Sequence, residues 1–338
     1  MHRNSFVIDA HCDTLLHLMK DSIYRVRMEK KRRNFFERSD EGHVDLLRLK
    51  EGGVDLQIFA AFISPMYYST SVTRALQMID TFYKMVDEST EVGHVTNYRK
   101  IKENQERGNI SALLFFEGGE AIDGGYVGNE PDLRVLDVMY RLGVRGITLT
   151  WNFRNKIGDG VREEGMGGGL TNFGRAVVER MNNLGMIVDV SHLSPSSFWD
   201  VLEVSKSPVI ASHSNCRSLS DVARNLNDDQ IKVLAEKNGV IGMNFAPSFL
   251  NKEKVKSGEQ PTVKDVVDHI DHIRDIAGVE YVGLGSDFDG IGSAPAGLED
   301  VSKLPNLTEE LLSRGYSQRD VQKVLGENFL RVFHEVLS

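Results

Sequence analysis

Two cysteines, Cys12 and Cys216, are all that the 338-residue sequence contains. So few thiols exclude a disulfide framework and fit a reducing compartment, and each reads as small apolar filler. No apolar run approaches the 18 residues of a transmembrane helix, and the opening MHRNSFVIDAHCD lacks a signal-peptide layout. The expectation is a cytoplasmic protein with no membrane partner. Positive charge is also short. Forty Lys and Arg against 49 Asp and Glu leave a formal net charge of −9, which argues against nucleic acid as a partner. The one basic cluster, Lys30-Lys31-Arg32-Arg33, stands near Glu37, Asp40 and Glu41 and reads as a solvated face. No Gly-Lys-Ser/Thr follows the Gly165–Gly169 stretch, and no dinucleotide fingerprint follows the first apolar run. With no Pro/Gly/Ser-rich linker and no internal repeat, residues 1–338 are expected to form one domain.

What the sequence does have is alternation. Candidate strands lie near 6–12, 54–62, 111–117, 145–151, 185–191, 208–213, 239–245 and 280–286, with amphipathic stretches between them. Examples are 70–92, with Ala75, Ile79, Phe82 and Val86 in helical spacing, and 261–278, with Pro261 at its start and Gly278 past its end. The last helix is expected to start at Ser317, with Asp320 three residues on. Eight strand–helix units in this length favour an α/β fold of the closed (β/α)8 TIM-barrel type over an open doubly wound sheet. Long loops fall at about 20–42, 152–171 and 287–307, the last two glycine-rich and placed to cover a substrate.

Four of the apolar runs end in metal-binding residue types. FVIDAHCD (6–13) supplies His11 and Asp13, ISALLFFEGG (110–119) supplies Glu117, GMIVDVSH (185–192) supplies His192, and SPVIASH (207–213) supplies His213. The carboxyl ends of barrel strands are where such a fold keeps its active site. His11 and Asp13, two apart, should share a face. Two strands that each end in Ser-His exceed what composition suggests. Imidazoles with carboxylates suit two divalent ions, zinc before manganese, cobalt or iron. Asp287 closes the eighth run and is assigned a proton-carrying role ahead of Asp289, which lies two residues further on. Counting charges, two ions offset by Asp13, Glu117, Asp287 and a hydroxide leave a nearly neutral centre. An anionic substrate would then need a further cation, for which Arg224 is suited as a bidentate clamp. Glu120 reads as solvated or as a neighbour of the site. His269 and His272 read as solvated, on the Asp-rich face of their helix. His17, His43, His94 and His334 show no partner pattern, and Trp199 reads as core.

The ordered set DAHCD (9–13), EGG (117–119), DVSH (189–192), SHS (212–214), ARN (223–225), GSDFDG (285–290) and GENFLRV (326–332) resembles the membrane (renal) dipeptidase family of the amidohydrolase superfamily. The resemblance covers nearly the whole chain. It implies a binuclear zinc centre and a metal-dependent dipeptidase, often acting on dipeptides with a D-residue at the carboxyl end. His11, Asp13 and Glu117 would hold one ion, and Glu117 would bridge to a second held by His192 and His213. A bridging hydroxide would attack, Asp287 would move the proton, and Arg224 would bind the substrate carboxylate. One departure stands out. Where many relatives place a substrate-binding His after Thr-Leu-Thr, TLTWNFRN (148–155) has Trp151, so either Asn152 or Asn155 is expected to supply the contact or a metal suffices without it. That departure keeps a lactonase, phosphodiesterase or N-acyl-amino-acid hydrolase open as alternatives, with a non-catalytic binding protein behind them. The expected assembly is a homo-oligomer, a dimer.

Overall fold

Eight of the apolar runs become parallel strands that close on themselves in the computed structural model, which describes residues 1–19, 33–122 and 124–338. They are β1 (Ile8–Cys12), β2 (Leu56–Phe62), β3 (Ile110–Glu117), β4 (Gly146–Thr148), β5 (Ile187–Asp189), β6 (Ile210–Ala211), β7 (Val240–Met243) and β8 (Val282–Leu284). Pairing runs in chain order from β1 to β8 and closes through Asp9 opposite Leu284. The longest register joins β2 to β3, from Leu56↔Ser111 to Phe62↔Glu117. Both faces of each strand are covered, by side chains inside and helices outside, which is why the runs are continuously apolar rather than alternating. The fold is the expected (β/α)8 barrel.

From β4 onward the strands are shorter than their apolar runs, because the last residues of those runs leave the ladder to enter the loops that form the site, whereas β1, β2 and β3 keep the carboxyl ends of theirs. A further parallel strand, Val92–His94, pairs with β3 at Ile110–Ala112. It fills the flank that β4 leaves open, since β4 meets β3 only at Phe115–Glu117. A two-stranded hairpin, Tyr126–Val127 with Glu130–Pro131, lies outside the barrel.

The amphipathic stretches form helices Ser71–Asp87 and Val263–Ile276. The second is entered through a capping box in which Thr262 and Asp265 bond each other's backbone. The last helix is capped by Ser317, whose hydroxyl accepts the Asp320 N–H, and it widens into a π turn over Lys323–Glu327. Gly326 on that turn backs onto β1; a Cβ there would lie 2.2 Å from the Phe6 carbonyl oxygen. The close approach delivers Phe329 and Phe333 into one buried cluster with Ile8, Ala10, Ile58, Phe115 and Ile210. The amino-terminal end of the barrel is thereby plugged, and chemistry is left to the carboxyl end.

Several expectations are corrected here. Lys30, Lys31 and Arg32 lie outside the described residues, but Arg33 is buried and ion-paired, not solvated. His269 is fully buried: its Nδ1 accepts the Cys216 N–H and its Nε2 donates to the Leu250 carbonyl. The Asp-rich face that suggested solvent is interrupted at that position by the loop carrying Cys216. Trp199 is 39% exposed and does not belong to the core. Both cysteines are buried and free. Among the described residues, no helix is long and apolar enough to cross a membrane.

Candidate metal centre and substrate pocket

The pairing register between β1 and β2 shifts between Asp9 and Cys12. Ile8 and Ala10 pack inside the barrel, whereas Cys12 belongs to the outer core. Strict alternation would have sent His11 outward, and the irregularity turns it to the pocket instead. Asp13 stands one residue past the strand, at the start of helix Thr14–Leu18, and makes no side-chain cap bond. Its carboxylate is left for the cluster, with Oδ2 3.6 Å from His11 Nε2. Glu117 is the last residue of β3 and reaches both sides: Oε2 is 3.7 Å from His11 Nε2, while Oε1 is 3.0 Å from His192 Nε2 and 3.8 Å from His213 Nε2. The His11 and His213 rings stack at 3.8 Å between centroids. His192 adopts φ 67°, and Asp287 adopts φ 61°. Left-handed backbone at two non-glycine residues of one site is strain that surrounding contacts must hold.

Hydrogen bonds fix the histidine tautomers. Ser212 Oγ gives its proton to Asp189 Oδ2, so it accepts from His213 Nδ1–H at 2.7 Å. Asn152 Oδ1 accepts from His192 Nδ1–H at 2.8 Å. Both Nε2 atoms therefore carry lone pairs, and these face each other 2.8 Å apart with Glu117 Oε1 beside them. Two imidazole lone pairs and a carboxylate oxygen so placed make a site suited to a cation. Nearby, the buried His11 Nε2 and Asp13 Oδ1 have no hydrogen-bond partner among the described residues.

The ionisation of the bare cluster tells the same story. Burial, with Asp13 adjacent, pushes the Glu117 carboxyl up to about 8. Burial raises Asp287 to about 6, His11 pulling the other way. Burial also holds His192 and His213 well below the usual histidine range, helped by Arg224 and His11 respectively. His11 alone is raised well above it: burial opposes this, but Asp13 and Glu117 prevail. Crowded carboxylates that retain protons and capture an imidazolium are short of positive charge, and divalent ions would supply it. Ligand atoms of His11, Glu117 and His213 form one compact triad, and those of His11, Asp13 and Asp287 another.

Beside the cluster opens a cavity of about 160 Å³, lined by Asp13, Glu117, Asn152, His192, Arg224 and Asp287 and walled by Leu16, Phe62, Trp151 and Phe249. Arg224 is buried, donates Nη2–H to the His213 carbonyl, and leaves Nε without a partner among the described residues. Asp287 Oδ2 accepts from Asn244 Nδ2. Asp289 also borders the cavity, but both its oxygens are occupied. Oδ1 accepts the His43 N–H, and Oδ2 accepts from Thr14 and lies 2.6 Å from Arg33 Nη2.

Asn155 is not in the pocket. Its Oδ1 accepts the Ile157 and Gly158 N–H groups and its Nδ2 donates to Leu149, so it braces its own loop. Asn152 borders the pocket but is committed to His192. Glu120 is not simply solvated: burial raises its carboxyl to about 7, and it accepts from Asn155 Nδ2 beneath the Trp151 loop. The sequence reading missed Asn244 and Ser212, the groups that orient Asp287 and His213. Only the repeated Ser-His pattern hinted at the second.

A closed parallel barrel with three imidazoles and three carboxylates gathered at its carboxyl end defines a metal-site barrel. The chain matches the family described as membrane dipeptidase (Peptidase family M19) over residues 1–338, and it belongs to that family. It is 36% identical to Dipeptidase 3 of Mus musculus over 342 residues, covering 98% of this chain and 64% of that protein. It is 35% identical to Dipeptidase 3 of Homo sapiens, covering 98% of this chain and 65% of that protein. The chain thus spans just under two thirds of the length of these curated relatives. Among solved structures, a metallo peptidase from Rhodobacter sphaeroides, liganded with a phosphinate mimic of the dipeptide L-Ala-D-Ala, is similar with a TM-score of 0.83 and 28% identity, over 98% of this chain and 100% of that one. A metallo peptidase named dipeptidase AC is similar with a TM-score of 0.84 and 29% identity, over 98% and 99%.

Proposed function

We propose that this chain is a binuclear metallo-dipeptidase, with His11, Asp13 and Glu117 toward one divalent ion and Glu117, His192 and His213 toward the other. The observation that carries the reading is the pair of unprotonated Nε2 atoms of His192 and His213, facing each other beside Glu117. The donor set of imidazoles and carboxylates favours zinc. When bound, such ions activate a water and polarise the scissile carbonyl. Asp287 takes the proton that this water loses and passes it to the leaving amine. Arg224, with Nε unpaired at the pocket edge, binds the substrate carboxylate as a planar fork. The four apolar walls receive side chains. A cavity of about 160 Å³, close to one that holds a benzene-sized guest, selects small residues such as those of the dipeptide mimic bound by the Rhodobacter sphaeroides neighbour.

A second reading, hydrolysis of a lactone, phosphodiester or N-acyl amino acid at the same centre, draws on Trp151 at the pocket wall, where a polar donor would suit a dipeptide carbonyl better. A panel of L,L- and L,D-dipeptides run against those three classes separates the two. Cleavage of small dipeptides above all others supports the first reading. Turnover confined to the other classes supports the second. No turnover by metal-loaded protein refutes both.

A further inference from the structure

The backbone from Asp287 to Gly290 does something uncommon: Asp287 and Asp289 are both left-handed, at φ 61° and 67°, with one residue between them. Residues bearing a β-carbon hold such conformations only where their surroundings over-determine them. Here the surroundings come from the other end of the chain. Thr14 Oγ1 donates to Asp289 Oδ2 at 2.7 Å, His17 Nε2 donates to the Asp289 carbonyl at 2.9 Å, and the His43 N–H donates to Oδ1 at 2.6 Å. Arg33 Nη2 lies 2.6 Å from Oδ2, in an ion pair that is almost entirely buried. His43 is engaged twice, because its Nδ1 accepts the Asp289 N–H at 2.9 Å. Its ring lies over Phe288 at 5.3 Å.

We propose that Asp289, clamped by Arg33 and His43, is the positioning residue that aims Asp287 into the pocket. The inference rests on the reading of Asp287 as the proton carrier. Among the described residues Asp287 has one side-chain partner, Asn244, and its N–H donates to the His11 carbonyl at 3.2 Å. Otherwise the turn alone sets where its carboxylate points. The turn is also pressed against the metal cluster: a Cβ on Gly290 would lie 2.2 Å from Asp13 Oδ2 and 2.4 Å from Asp287 Oδ1. With so little clearance, a turn that relaxes moves Asp287 relative to Asp13. Asp289 cannot share the proton work, since both its oxygens are already taken. Its charge serves to lock three segments, around Thr14, Arg33 and His43, onto the eighth loop.

The test compares Asp289→Asn, the double variant Arg33→Met/Asp289→Asn and Asp287→Asn, each metal-loaded, for kcat, KM, bound metal and melting temperature on a small dipeptide. Asp289→Asn is expected to lower kcat roughly 10–100-fold, with KM and bound metal near wild type. It also removes the Asp289 charge from beside the buried Arg33 guanidinium, so the fold itself suffers. The double variant removes that cation and regains thermal stability, yet keeps the low kcat. Wild-type kcat in the folded double variant, or a loss expressed in KM or in metal content, overturns the positioning role. Asp287→Asn separates the two failures. Full turnover there sinks the proton-carrier reading, whereas an inactive Asp287→Asn beside fully active Asp289 variants sinks the positioning proposal alone.

Discussion

Trp151 packs its indole against Phe62 with ring centroids 5.1 Å apart, and it leans towards His192 at 6.3 Å. The pocket therefore has an apolar wall beside the metal cluster, at the position where many members of the resembled family carry a histidine. An apolar wall can shape a substrate but cannot donate to a developing oxyanion.

Trp151→His is expected to raise kcat on small dipeptides, up to the roughly 10²–10³-fold that one oxyanion donor is worth, with little change in KM. Steady-state kinetics on the metal-loaded variant checks this. An unchanged kcat would mean that the carbonyl is already fully polarised without that donor.

Ser212 and Asn152 are each committed to the Nδ1–H of one histidine, at 2.7 Å and 2.8 Å. Removing either acceptor frees the tautomer. Ser212→Ala and Asn152→Ala are each expected to weaken metal binding roughly 10–100-fold, read by competition against a chelating dye. Equal affinity in both variants would show that these bonds do not orient the ligands.

Burial lowers His269 to about 4 from an ordinary value of 6.5. The folded state thus binds fewer protons than the unfolded chain between those values. Stability is fully present above pH 6.5 and is lost as pH falls towards 4, by about 3 kcal/mol from this one group. Urea unfolding at pH 7 and pH 4.5 should show a smaller loss in His269→Gln, although that variant starts from lower stability. An identical pH slope in both proteins would contradict the assignment.

Much of this was legible in the sequence because a buried parallel strand leaves a plain mark: four to eight apolar residues, then a polar one. That rule singles out His11, Asp13, Glu117, His192, His213 and Asp287, and the barrel brings them together. The means by which His11 reaches the pocket was not legible. Alternation predicts the wrong face for it, and only the register shift in β1, a property of pairing between strands, corrects this. Arg33 and His269 were misread for a related reason. Each looks solvated among its sequence neighbours, and each is buried by a segment distant in the chain, Asp289 in one case and Cys216 in the other. Asn155 was misassigned because a loop amide that braces its own turn looks the same in sequence as one that meets a substrate.

In the proposed mechanism the His192–His213–Glu117 and His11–Asp13–Glu117 groups are the cation ligands. Elemental analysis of protein dialysed against zinc, paired with anomalous diffraction at the zinc edge, decides whether they are. Two ions per chain, flanking the Glu117 carboxylate and lost in His192→Ala and His11→Ala respectively, are predicted. A metal-free centre after that treatment, or ions bound away from Glu117, would contradict it.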